Sequence, residues 1–223
     1  RTQSSAGITF VQRLNDSTTI MAKLKYIISA MAAILTMTTA VGYAQTQNTP
    51  EATELVKRMS AKIKAMGSYE ADFSVETAGQ PIHGYYAVSG QSYYLRINEA
   101  EVFCDGSKRC EVIPENREIT IDIVSDQTDL LSNPARAFEL LDSDFSIGFA
   151  DPGQPSRANI AQLRLVPTKD DFPFGTIYVE IDLGTYLPKS ICYDFDGDRI
   201  DIRIDAIRKL EHADTSLFQF DAA

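Results

Sequence analysis

The sequence predicts an α+β domain, one large curved antiparallel sheet with one face covered by helices. Three observations carry that expectation. An apolar pattern at helical spacing opens the domain, the period changes to two from Tyr69 onward, and the strand-like runs are separated by short turns containing Gly, Pro or Asp.

The opening helix is announced by Thr49-Pro50-Glu51, an N-cap residue, a Pro suited to the first helical position and an acid beside the positive end of the dipole. Leu55, Met59, Ile63 and Met66 then recur at helical spacing, and Gly67 ends the run. Ala71, Phe73 and Val75 alternate with Glu70, Asp72, Ser74 and Glu76, which is the signature of a half-buried strand. Further strand-like runs are expected at residues 84–88, 92–97, 101–104, 109–113 and 118–124. Together they read as a meander. The middle turns helical at Leu130-Leu131 and, after Asn133-Pro134, at residues 135–141 with Phe138 and Leu141, before a Gly- and Pro-rich loop over 148–156. Strands resume at 160–166, 175–183, 187–195 and 200–210, the last two joined at Asp196-Gly197. No internal repeat or change of composition divides residues 45–223, so one domain is expected there.

The N-terminus predicts an exported protein. Residues 21–44 read as a signal peptide: Met21, then Lys23 and Lys25, an apolar run from Tyr26 to Val41, and Gly42-Tyr43-Ala44. Cleavage after Ala44 is expected, since the small residues Gly42 and Ala44 stand where a signal peptidase requires them. The run is shorter than the ~20 residues that span a bilayer. Residues 1–20 match no targeting pattern and read as an upstream extension. Gln45 occupies the place where a bacterial lipoprotein carries its acylated Cys, so a free periplasmic protein is expected.

Removing residues 1–44 takes away four bases and one acid, which leaves 17 bases against 30 acids and a net charge of −13. Such a surface is repelled by nucleic-acid phosphates and by anionic headgroups, so nucleic acid is excluded as a partner and any lipid contact must be apolar and local.

Sites for chemistry are sparse. His83 and His212 have no nucleophile or metal-ligand spacing around them, and Asp194-Phe195-Asp196-Gly197-Asp198 lacks the later acid a calcium loop needs, that place falling on Arg203. No cofactor and no enzymatic activity are expected. Cys104 and Cys110 flank Asp105-Gly106-Ser107-Lys108-Arg109, and a three-residue loop over 106–108 sets them opposite one another. In an oxidising compartment that arrangement reads either as a Cys104–Cys110 disulfide or as two small apolar residues on one sheet face.

The order of landmarks resembles the LolA family of periplasmic outer-membrane lipoprotein carriers. They are Gly67-Ser68-Tyr69-Glu70-Ala71-Asp72-Phe73, then Gly84-Tyr85-Tyr86-Ala87-Val88, Tyr93-Tyr94-Leu95-Arg96, the Asp105-Gly106 hairpin leading to Val112-Ile113-Pro114, the Asn133-Pro134 helix, Leu163-Arg164-Leu165-Val166-Pro167, Leu187-Pro188-Lys189-Ser190-Ile191 and the final Phe218 to Phe220. The resemblance implies an incomplete β-barrel whose helical lid covers an acyl-binding cavity. It also implies acylated lipoproteins as clients, an inner-membrane lipoprotein-releasing transporter and an outer-membrane acceptor as partners, and a monomer. The family's latch Arg is replaced by Ser89-Gly90-Gln91, so this chain looks like a divergent branch. Alternation along the strands assigns Phe73, Val75, Tyr86, Val88, Tyr94, Val112 and Ile121 to the concave face, with Phe138 and Leu141 from the lid. The same alternation fits a filled sheet-helix core, and only the resemblance favours a cavity. Two other readings are a lipoprotein sensor or glycolipid-binding protein of the same fold, and a secreted hydrolase with an unrecognised site.

Overall fold

The structure, a computed structural model, describes residues 48–76, 80–124, 145–168, 175–195, 198–212 and 214–221. The expected signal peptide, the helices around Leu130-Leu131 and over 135–141 with Phe138 and Leu141, and the Asp196-Gly197 hairpin tip lie outside them.

Helix α1 (Pro50–Lys64) opens with Pro50 and Glu51 and ends with Lys62 and Lys64, each charge suited to its end of the dipole. It buries Ala52, Val56, Met59 and Ile63. Leu55 and Met66, expected at the centre of that stripe, pack at its flank.

Twelve strands follow: β1 (Ser68–Glu76), β2 (Ile82–Ser89), β3 (Ser92–Ile97), β4 (Ala100–Cys104), β5 (Lys108–Ile113), β6 (Glu118–Ile123), β7 (Phe145–Phe149), β8 (Ser156–Arg157), β9 (Ile160–Pro167), β10 (Ile177–Asp182), β11 (Pro188–Phe195) and β12 (Asp198–Lys209). All belong to one antiparallel sheet of order β6-β5-β4-β3-β2-β1-β12-β11-β10-β9-β7, with β8 also on β9. The sheet is open, since β6 and β7 stand at opposite ends of the order. Two meanders, β1 to β6 and β7 to β12, meet in the middle where β1 pairs with β12. A register shift at Asp72/Phe73 lets Phe73 face Ile204 while Asp72 faces Ala206, so a bulge sits in that central seam.

Among the described residues one helix, not several, shares the sheet's core. The face bearing α1, here called the inner face, gathers Tyr69, Phe73, Tyr86, Tyr93, Leu95, Leu163, Ile181 and Tyr193 into one buried cluster with the helix stripe. Strand β7, of which the sequence reading put Gly148 and Phe149 in a loop and left residues 145–147 unassigned, caps one end of the sheet. Its own edge is covered where the Thr49 N–H donates to the Ile147 carbonyl (2.9 Å) and the Ile147 N–H donates to Asn48 Oδ1 (2.8 Å).

Candidate functional site

The candidate site is the inner face of β1 to β5. Phe73 pairs with Gly84 across β1 and β2, and a Cβ on Gly84 would stand 2.2 Å from Phe73 Cζ, so the ring lies flat on a strand with no side chain to displace it. Val75, Tyr86 and Val88 share this face and are buried with Phe73, as expected.

Tyr94, Val112 and Ile121, expected beside them, lie on the opposite, outer face. The cause is turn length. Val88 pairs with Tyr93 around a two-residue Gly90-Gln91 loop, which sends Tyr93 inward and Tyr94 outward. Cys104 likewise pairs with Arg109 around Gly106-Ser107, one residue shorter than the loop expected, and the one-residue slip turns all of β5 over. The turn is held by Asp105, whose carboxylate accepts from the N–H groups of Ser107 and Lys108 at 2.8 Å each, with Gly106 at φ +91°.

Cys104 therefore faces inward and Cys110 outward, opposite Phe103. The disulfide reading is corrected: none of the three cysteines is bridged, and no bridge passes through the plane of a sheet.

The slip brings inward two residues that sequence reasoning missed. Arg109 Nη2 donates to Glu111 Oε2 at 2.8 Å, and Arg109 Nη1 lies 3.4 Å from Asp122 Oδ2. Arg109 is 8% exposed and Glu111 3%, so this is a buried ion pair on an otherwise apolar face. Burial alone would lower the Arg109 pKa, but Tyr93 and Glu111 outweigh it and hold the guanidinium charged. A legible signal existed, because opposite charges two apart in a strand share a face and can pair.

Beside the ion pair stands a row of phenols. Tyr69 and Tyr86 meet edge to face at 6.2 Å between ring centroids, and Tyr86 and Tyr93 at 6.5 Å. The hydroxyls of Tyr69 and Tyr86 are buried beside each other, and burial pushes both phenols well above their ordinary pKa.

The outer face holds a smaller aromatic cluster. Tyr94 stacks at a tilt on Phe103 (5.1 Å) and Tyr85 (6.1 Å), Phe103 meets Phe220 (5.7 Å), and Phe218 closes the group. The Tyr94 hydroxyl donates to Glu101 and that of Tyr85 to Glu70. Ile119, Ile121 and Ile123 of β6 are 52, 62 and 82% exposed on this side, a stripe of three on the edge strand. Among the described residues no group of three or more His, Cys, Asp and Glu is placed to hold a metal ion.

No family model matches the chain, and no curated protein is similar enough to match. Solved structures match the chain at low identity. An uncharacterised conserved protein from Thermus thermophilus is 8% identical with a TM-score of 0.49, over 77% of this chain and 95% of that one. A LolA superfamily protein from Nitrosomonas europaea is 10% identical at 0.41, over 77% and 99%. The MucA/MucB complex of Pseudomonas aeruginosa is matched at 18% identity and 0.40, over 77% of this chain and 62% of that one.

Proposed function

We propose that this protein is a non-enzymatic periplasmic carrier that holds the acyl chains of lipoproteins against the inner face of its sheet and conveys them from the inner to the outer membrane. The observation that carries the reading is the inner face itself, where Phe73, Val75, Tyr86 and Val88 of an open sheet lie in one buried apolar cluster that acyl chains would have to enter. The signal-peptide pattern and the ordered LolA-like landmarks support it.

Each acyl methylene left in water costs about 0.8 kcal/mol, so a lipoprotein crosses an aqueous compartment only with its chains covered. Apolar contact supplies that cover without attraction to anionic headgroups, which suits a surface as acidic as this one. An inner-membrane transporter would load the carrier and an outer-membrane acceptor would unload it.

The test is direct. Protein recovered from its own periplasm should carry acyl species in native mass spectrometry, and its delipidated form should release a lipoprotein from inner-membrane vesicles into the soluble fraction. Absence of both bound acyl species and release would sink the reading.

A second reading, a sensor of the same fold that binds a protein partner, is favoured by the exposed Ile119, Ile121 and Ile123 stripe. Ile121→Asp should leave vesicle release unchanged under the carrier reading and abolish signalling under the sensor reading.

A further inference from the structure

The two ends of the sheet are finished differently. At β7 the free edge is covered, since Thr49 and Asn48 bond to Ile147 there. At β6 no described strand follows. The Val124 N–H donates to the Ser107 carbonyl at 2.8 Å, so the even-numbered residues of β6 bond to β5, and the N–H and C=O groups of Ile119, Ile121 and Ile123 point to the open edge. The side chains of the same three residues are the most exposed large apolar groups among the described residues. No Pro interrupts this strand, and its register with β5 runs without a shift, so nothing in it blunts the edge.

The stripe does not stand alone. Opposite Ile121 is Cys110, then Phe103 and Tyr94 of the outer-face aromatic cluster, and Val112 stands opposite Ile119. An apolar row thus runs from that cluster to the edge and stops at Ile121.

Set antiparallel against its own copy, β6 has one register that suits both its isoleucines and its charges. With a twofold axis at Ile121, that residue faces Ile121 of the copy, Ile119 faces Ile123, Thr120 faces Asp122 and Glu118 faces Val124. All three isoleucines then meet isoleucine, and no acid stands directly opposite an acid. Moving the axis one residue back sets Glu118 opposite Asp122 and Ile123 opposite Arg117, and moving it one residue forward sets Asp122 opposite itself. Like charges directly opposite one another oppose both shifts.

We propose that β6 is a dimerisation edge, at which two copies of this chain join their sheets antiparallel about a twofold axis through Ile121. Hydrogen bonds are exchanged between Ile121 and its counterpart and between Ile119 and Ile123. Such a contact is self-complementary and closes at two copies. It takes the place of the monomer that the LolA resemblance implies. The inner faces lie on the same side of the joined sheet and stay uncovered, so the inference stands apart from the carrier reading. One strand a side makes a small interface, and a Kd on the order of 10 μM is expected. Added salt should tighten it by screening two copies of like net charge.

The experiment is sedimentation velocity of the purified periplasmic protein over a concentration series, with Ile121→Asp alongside and its thermal midpoint measured as a check on folding. The parent should dimerise. Ile121→Asp sets two acids opposite one another at the axis, so it should weaken the dimer at least about tenfold while the protein stays folded. Register is read by copper phenanthroline cross-linking in a Cys110→Ala background, which removes the thiol next to position 121. Residues opposed in a hydrogen-bonded pair lie about 5.5 Å apart at Cα, within reach of a disulfide. Ile121→Cys should therefore cross-link to its copy, Ile119→Cys alone should not, and a mixture of Ile119→Cys with Ile123→Cys should. A parent that is monomeric at every concentration, including one that binds a different protein through the stripe, overturns the inference. So does a dimer that persists in Ile121→Asp or that cross-links through Ile119→Cys alone.

Discussion

The two meanders line the same face with different chemistry. Strands β7 and β9 to β12 turn inward Phe145, Ile147, Leu163, Leu165, Ile177, Val179, Ile181, Ile191, Ile200, Ile202 and Ile204, with Tyr193 the one buried phenol in that group. Strands β1 to β5 bury Tyr69, Tyr86, Tyr93, Arg109 and Glu111 among their apolar residues. A face meant only to be filled is served by Leu and Ile, as the second meander demonstrates within the same sheet. Polar groups are kept inside the first at the expense of desolvation, so under the carrier reading the first half would meet the ligand and the second would serve as its scaffold.

Three measurements would break or sharpen that division. The largest effect is expected for Glu111→Ala, which leaves Arg109 buried with only the more distant Asp122 as a carboxylate partner. Urea unfolding should show a loss of about 3 to 4 kcal/mol, and a loss below about 1 kcal/mol would mean that the pair is solvated and the polar half is not a buried site. Next comes Leu163→Ala in the scaffold half, at a fully buried position. It should lose about 2 to 3 kcal/mol through the cavity it leaves while release of a lipoprotein from inner-membrane vesicles stays unchanged, and a changed release would erase the distinction between halves.

The smallest effect concerns Asp105, which fixes the turn that orients β5. The N–H groups of Lys108 and Ser107 hold its carboxyl below the usual 3.8. A carboxyl depressed in the folded state contributes stability above its unfolded pKa and loses it as pH falls through the folded one. Unfolding measured at pH 7 and pH 3 should therefore differ by a few tenths of a kcal/mol more in the parent than in Asp105→Ala, the exposed site being screened by solvent. No difference would remove the carboxylate from the account of the register.

Most of the framework was legible in the residues. Alternation of period two located β1 to β6 and β9 to β12 to within a few residues, because most runs are bounded by Gly, Pro or Asp turns. Strand β7 was obscured by its Gly148 and its brevity, although Phe145, Ile147 and Phe149 alternate. Facing was harder to read than position. A Tyr93-Tyr94 doublet offers an aromatic to either side, and Ile119, Ile121 and Ile123 look like inward residues until the register turns them out. What decides each case is whether a hairpin loop holds two residues or three, and Gly90-Gln91 and Gly106-Ser107 admit both. Phe73 and Val75 were placed correctly because Glu70, Asp72 and Glu76 leave their strand no other facing. Arg109 and Glu111 were missed because charged residues are read as outward unless each has the other as partner.

The pairing of β1 with β12 sets the order in which this chain can fold. Apart from the pairing of β7 with β9, each meander consists of hairpins between neighbours in sequence, which close quickly, whereas the seam between them joins Tyr69 to Lys209 and Val75 to Ile202 across most of the domain. Until the last strand is available, β1 has an open edge in the middle of the future sheet and the inner face lacks half its width. A chain threaded through a membrane from its N-terminus would therefore have no finished domain to obstruct its own passage. Completion of the sheet, and with it of any acyl site, would wait until β12 has emerged on the far side.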